Sequence, residues 1–258
     1  MSQWVSTRTA GDVCVVTIDN PPVNAFHPDV AEALIGAFEE LQRSTPKPRA
    51  VVLTGAGKYF VAGGDIRFFR TLDETSAERY ARRIQICQET ILHFEAPVIA
   101  ALNGSALGGG CELMMACDIR IAAEDAVFGQ PEVTLGLVPG AGGTQNLPRL
   151  VPLGTAKKLL FTGDRISAAE ALRIGLVDEV VPTPSVVDHA LALAQRIAKN
   201  APLAVSAAKR AVNLGIELNL SEALRLEARF LGELFRSQDV KEGVAAFVEK
   251  RPPNFQGN

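Results

Sequence analysis

Glu112 and Glu132 are the residues of this chain whose surroundings point most directly to chemistry. Glu112 closes the run Asn103-Gly104-Ser105-Ala106-Leu107-Gly108-Gly109-Gly110-Cys111-Glu112. Glu132 closes Phe128-Gly129-Gln130-Pro131-Glu132, and Pro139-Gly140-Ala141-Gly142-Gly143-Thr144-Gln145 follows shortly after. Three glycines in a row strip side chains from the backbone, which can then approach a ligand closely. A carboxylate just beyond them is placed for acid–base work on whatever that backbone holds. A second run, Tyr59-Phe60-Val61-Ala62-Gly63-Gly64-Asp65-Ile66, is also rich in main-chain N–H groups. Gly108-Gly109-Gly110 opens a helical stretch, and a helix N-terminus offers unpaired N–H donors at the positive end of its dipole. Two such donors meeting at one carbonyl oxygen form an oxyanion hole, in which each donor contributes ~3–4 kcal/mol to the transition state. Taken alone, Ala62-Gly63-Gly64 reads equally well as a tight turn with Asp65 capping the next helix, and a lone Glu112 as a solvated surface acid. The joint pattern is what favours a site.

Other chemistries lose their usual parts on counting. Gly108-Gly109-Gly110-Cys111-Glu112-Leu113 and Gly140-Ala141-Gly142-Gly143-Thr144-Gln145 both lack the last glycine of a dinucleotide fingerprint. Gly55-Ala56-Gly57-Lys58 has Val52 and Tyr59 where a phosphate loop needs Gly and Ser or Thr. His27, His93 and His189 are scattered, with no His-Glu-x-x-His helix, and no serine stands in a Gly-x-Ser-x-Gly elbow.

The 258 residues are 47% hydrophobic and 21% charged, enough for one large globular domain or one with a smaller appendage. A net charge of −3 gives no general attraction to nucleic acid or to anionic membranes. Cys14, Cys87, Cys111 and Cys117 form no CxxC pair and read as free thiols in a reducing compartment. The first residues show neither a signal peptide nor a transit sequence, and no apolar run reaches the ~20 residues of a membrane span. A cytoplasmic protein is the expectation.

Strands are expected at residues 13–18, 50–54, 97–102 and 118–122, and helices at 29–41, 76–94 and 111–117, an alternation that argues for a layered α/β structure with buried strands. From Pro184 the chain turns Ala-, Leu-, Lys- and Glu-rich. Helices are expected there near 184–199, 202–217, 220–236 and 239–249. The reading is a core over residues 1–195 carrying the site and an all-helical region over 196–258 suited to packing on a neighbouring subunit.

The segment Asn103 to Gln145, with Ala62-Gly63-Gly64-Asp65-Ile66 and Asp19-Asn20-Pro21-Pro22-Val23-Asn24-Ala25, resembles the enoyl-CoA hydratase/isomerase, or crotonase, family. The similarity extends through Leu160 to Ala168 and the ending Glu242 to Arg251. It implies a crotonase-type spiral of β-β-α units with a C-terminal all-helical region. It also implies an acyl-CoA substrate, and no cofactor beyond the coenzyme A of the thioester. The N–H groups of Gly64 and Gly109 would bind the thioester carbonyl. Ala25 and the stretch Ala62, Gly63, Gly64, Asp65, Ile66, Arg67 would line the coenzyme A channel, and Phe247 and Lys250 would reach coenzyme A from an adjoining subunit. Family members that hydrate a double bond carry two glutamates, as this chain does at Glu112 and Glu132, so the resemblance implies a hydratase. Gly140 is expected to orient the water or a glutamate through its N–H. A homotrimer or a dimer of trimers is implied, without nucleic-acid or membrane partners. Double-bond isomerisation with Glu132 alone, another crotonase-type reaction and non-catalytic acyl-CoA binding stay open. The chain departs from the commonest pattern at Gly64, where alanine is frequent, and at Asn146, where arginine is common. The stretch Arg67 to Arg83 is placed to cover the acyl chain without showing which length it admits.

Overall fold

The computed structural model describes residues 3–258. Its strands are β1 (Val5–Ala10), β2 (Val13–Ile18), β3 (Ala50–Gly55), β4 (Tyr59–Val61), β5 (Val98–Leu102), β6 (Ser105–Leu107), β7 (Ile119–Ala123), β8 (Val127–Gly129), β9 (Arg165–Ser167) and β10 (Glu179–Val181). Its helices are α1 (Pro28–Arg43), α2 (Ile66–Phe69), α3 (Glu74–Leu92), α4 (Gly109–Met115), α5 (Gly143–Leu150), α6 (Leu153–Thr162), α7 (Ala168–Ile174), α8 (Val186–Ala198), α9 (Pro202–Gly215), α10 (Leu220–Leu234) and α11 (Gln238–Glu249). A 3-10 turn, Pro131–Leu135, follows β8.

Two sheets result. The larger has the order β1-β2-β3-β5-β7-β10, parallel except for β1 against β2, and the smaller has the order β4-β6-β8-β9. Three times in succession the chain lays one strand in the large sheet and the next in the small one before entering a helix: β3–β4, β5–β6 and β7–β8. This is the expected spiral of β-β-α units, and it brings the ends of β4, β6 and β8 side by side.

The long strands are apolar because both of their faces are covered. Val13, Val15, Val52, Ile99, Ala101 and Ile121 turn towards α8, which meets them with Val186, Ala190, Ala194 and Ala198. That four-residue spacing puts small side chains on one helix face, so the helix axis can come close to the sheet. The alternate residues Cys14, Val16, Val51, Leu53, Val98 and Ala100 join the main core beneath α1, α3 and α4. Residue 195, the expected end of the core, lies inside α8 and so within a helix packed on the large sheet. Beyond it α9–α11 bury little: Lys209 on α9, Phe230 on α10, Asp239 and Ala246 on α11. Arg49 ties this end to the core by donating to the carbonyls of Ala198 (3.3 Å) and Phe255 (2.8 Å). Among the described residues no helix is long and apolar enough to cross a membrane.

Candidate active site

The turn between β4 and α2 runs beside the segment before α1. Phe26 N–H donates to the Gly63 carbonyl (2.8 Å), Ala62 N–H to the Val23 carbonyl (3.1 Å), and Phe26 and Gly64 form a parallel bridge. Asp65 caps α2, accepting from the N–H groups of Arg67 (2.9 Å) and Phe68 (3.3 Å), so the capping reading of this acid holds. The β6–α4 turn lies next to it: a methyl group on Gly63 would stand 3.7 Å from the Leu107 carbonyl, and one on Gly108 would stand 3.8 Å from the Gly63 Cα. Helix α4 begins at Gly109, two residues earlier than the sequence predicts, and the N–H of this first helical residue has no partner within the helix. Gly108 has φ 50°, a conformation natural only to glycine, and a methyl there would meet Glu132 Oε1 at 2.6 Å. A methyl on Gly109 would meet Phe26 Cδ1 at 3.3 Å and Glu112 Oε2 at 3.9 Å. Both carboxyl groups therefore border the same glycine run, Glu112 from α4 and Glu132 from the 3-10 turn after β8. The expected coenzyme A residues Ala25 and Ala62 to Arg67 flank the run's neighbouring loop. Phe247, 86% exposed, and Lys250 stand at the end of α11.

The two acids are held differently. Glu112 is 3% exposed, and its Oε1 accepts from Ala141 N–H (2.9 Å) and Gly143 N–H (2.8 Å). The expected donor to a glutamate, Gly140, is not the one that reaches it. Its carbonyl accepts from Gln85 Nε2 (2.8 Å), and the N–H groups of Ala141 and Gly143 are the ones aimed at Glu112. Glu132 Oε2 is buried with no hydrogen-bond partner. Burial pushes the Glu112 carboxyl up to about 7; the Gly143 N–H opposes this, the charge of Glu132 adds to it, and the Ala141 N–H opposes it again. Burial also raises Glu132. Two nearby carboxyls in an enclosed site resist double ionisation, so the pair shares one proton near neutrality. Enclosure alone favours putting that proton on Glu112, yet two N–H donors with no other acceptor favour the anion there. The donor geometry is the more specific of the two arguments, and it leaves the proton on Glu132.

Sequence reasoning missed several neighbours. Gln130, two residues before Glu132, is 1% exposed with both side-chain polar atoms unpartnered, and its Nε2 would lie 2.9 Å from a methyl on Gly143. Tyr80 of α3 donates to the Phe26 carbonyl (3.1 Å), and its hydroxyl is raised by burial and then by the charges of Glu112, Asp65 and Glu132. Phe69 of α2 packs edge-on against Tyr80, with ring centroids 5.2 Å apart.

Layered β-β-α units whose glycine turns converge beneath one buried and one half-buried carboxyl define an acid–base enzyme of the crotonase fold. The family model for enoyl-CoA hydratase/isomerase matches residues 8–258, and the chain belongs to that family. It is 44% identical over 250 residues to the short-chain-enoyl-CoA hydratase of Clostridium acetobutylicum, covering 93% of each chain. It is 45% identical over 245 residues to the crotonyl-CoA hydratase of Syntrophomonas wolfei, covering 94% of each. A crystal structure of enoyl-CoA hydratase from Bacillus anthracis superposes with a TM-score of 0.95 at 40% identity, covering 99% of this chain and 100% of that one.

Proposed function

We propose that the chain is an enoyl-CoA hydratase, adding water reversibly and to one face of the double bond of a 2-enoyl-CoA to give a 3-hydroxyacyl-CoA. The observation that carries this reading is the pair of enclosed carboxyls on one glycine run, and the hydratases among its relatives support it. The thioester carbonyl accepts hydrogen bonds from Gly64 and Gly109, which draws electron density from the β-carbon. Glu112, as carboxylate, takes a proton from water while the oxygen bonds to that carbon. The electron pair of the double bond moves into an enolate whose oxygen the two N–H groups stabilise. Glu132 delivers its proton to the α-carbon. The pair holds one proton before and after, on the opposite carboxyl. The Gly140 N–H is assigned to the attacking water, and no metal or redox group enters the scheme.

Coenzyme A lies along Ala25 and Ala62 to Arg67, with Phe247 and Lys250 supplied by an adjoining subunit. Val212, Ile216, Leu220, Leu224, Leu231 and Phe235 are each more than half exposed on α9, α10 and the residue after each, apolar surface that supports a homotrimer or a dimer of trimers. Four free, buried cysteines fit a reducing compartment such as the cytoplasm.

Loss of crotonyl-CoA absorbance on incubation with the purified protein tests the activity. Glu112→Gln and Glu132→Gln each lower kcat by ~10²–10⁴-fold, the range of positioned acids and bases, while thioester affinity persists. Undiminished turnover in either variant removes the two-carboxyl mechanism.

A further inference from the structure

Resting on the hydratase reading, we propose that the ring of Phe69, seated end-on against Gly64, sets the length of the acyl chain, and that residue 64 is glycine to make room for it. A methyl group on Gly64 would stand 2.7 Å from Phe69 Cζ and 3.4 Å from both Cε atoms. No ordinary side-chain carbon tolerates the first of these distances, so the aromatic tip occupies the space where an alanine methyl would lie.

The ring is braced by its aromatic neighbours. Phe69 packs edge-on against Tyr80 at 5.2 Å, and Tyr80 in turn meets Phe68 at 5.7 Å. Phe68 closes on His27 at 4.9 Å. The Tyr80 hydroxyl is anchored on the Phe26 carbonyl at 3.1 Å, and Phe26 is bridged to Gly64 itself. The cluster thus spans α2, α3 and the segment before α1, and it returns to the backbone that would hold the thioester. Phe26, on whose carbonyl Tyr80 is anchored, also borders Gly109, and the Tyr80 hydroxyl is within range of the charges of Glu112, Asp65 and Glu132. An acyl chain held by its carbonyl at Gly64 passes the two carboxyls with its first carbons. Its later carbons then run into Phe69 and Tyr80. Short chains fit in front of this wall, and long ones require Phe69 to leave Gly64.

The test compares wild type, Phe69→Ala, Phe69→Leu, Gly64→Ala and the Gly64→Ala/Phe69→Ala double variant, each verified as folded by circular dichroism. Two readouts are taken: kcat/KM for crotonyl-CoA and trans-2-decenoyl-CoA, and calorimetric affinity for the unreactive butanoyl-CoA and decanoyl-CoA. Phe69→Ala raises the decenoyl-to-crotonyl ratio at least about tenfold, within the ~10–200-fold range of a single methylene misfit in a pocket, and Phe69→Leu raises it by less. Gly64→Ala weakens butanoyl-CoA binding about tenfold when Phe69 is present and less than about threefold when it is Ala, a non-additivity expected only of groups in contact. An unchanged ratio in Phe69→Ala overturns the length role. An equal Gly64→Ala penalty in both backgrounds overturns the steric coupling. Should wild type hydrate neither thioester, the hydratase reading falls, while the affinities for the saturated thioesters still decide the steric claim.

Discussion

Two acids on and just beyond α4 are both enclosed, and the chain treats them in opposite ways. Asp118, just past the helix, pairs with Lys209 of α9 at 2.8 Å and accepts the Val98 N–H at 2.7 Å. Lys209 also donates to the Ala96 carbonyl at 3.2 Å. Burial raises the Asp118 carboxyl, but Lys209 and the Val98 N–H pull it back. Glu112, inside the helix, receives N–H groups too, yet the neighbouring side-chain charge acting on it is that of another carboxyl, Glu132. One acid is neutralised where it stands and fastens the C-terminal helices to the sheet. The other has no cation among the charges that act on it, and burial and Glu132 raise its carboxyl, as the proposed proton transfer requires. Enclosure is common to both, and the sign of the neighbouring charge separates a structural acid from a chemical one.

Breaking the structural pair should have the largest effect on stability. Asp118→Asn leaves the Lys209 ammonium buried against a carbonyl alone, and removing one partner of an enclosed ion pair costs ~3–5 kcal/mol. A large drop in denaturant midpoint, recovered mostly by Asp118→Asn/Lys209→Met, is the expected result. A drop below ~1 kcal/mol would make this an ordinary surface pair.

The chemical acid should behave in the opposite sense. Folding raises the Glu112 carboxyl from an ordinary 4.5 to about 7. Relative to the unfolded chain, the folded state therefore binds this proton more tightly, and the associated stability is complete below about pH 4.5 and lost as pH rises through 7. Glu112→Gln keeps a neutral acceptor for the Ala141 and Gly143 N–H groups at every pH. It should match wild type near pH 4 and exceed it at pH 8, by less than the ~3 kcal/mol that a shift from 4.5 to about 7 would carry, because a protonated Glu132 removes the charge that contributes to that shift. Urea unfolding at the two pH values checks this, and a variant less stable than wild type at pH 8 would contradict it. Stability gained where activity is lost is what distinguishes this acid from Asp118.

The contrast also marks where the sequence is legible. β2, β3, β5 and β7, with α1, α3 and the four C-terminal helices, can be read because each is long enough to show an apolar run or a helical period. The small sheet cannot, since β4, β6, β8 and β9 have three residues each and three residues carry no period. β1 escapes for another reason: four of its six residues are exposed, so the edge strand reads as polar chain. At the site, Glu112 and Glu132 stand out because glycines surround them. Ala141 and Gly143 do not, because they act through N–H groups that every non-proline residue possesses, and only the fold decides which ones point at a carboxylate. Phe69 and Tyr80 lie in a stretch whose position is readable but whose inner face depends on how α3 is rotated.

The smallest of these effects sits at the joint between backbone and acid. A methyl group on Gly143 would meet Pro139 Cβ at 2.7 Å, Gln130 Nε2 at 2.9 Å and Glu112 Oε1 at 3.0 Å, three neighbours from three segments. None can yield without disturbing another, because Gln130 is enclosed and Glu112 is fixed by the N–H of the same residue. Gly143→Ala should therefore cost ~1–3 kcal/mol of stability, the usual penalty for overpacking. It should also lower kcat/KM by up to ~10²-fold, since displacement of a reacting group by about 1 Å has that scale. Gly154, where a methyl meets nothing within 4 Å, provides the control. If Gly143→Ala and Gly154→Ala behave alike in melting and in turnover, the 141–143 loop does not position Glu112, and the pull that favours its anion must come from elsewhere.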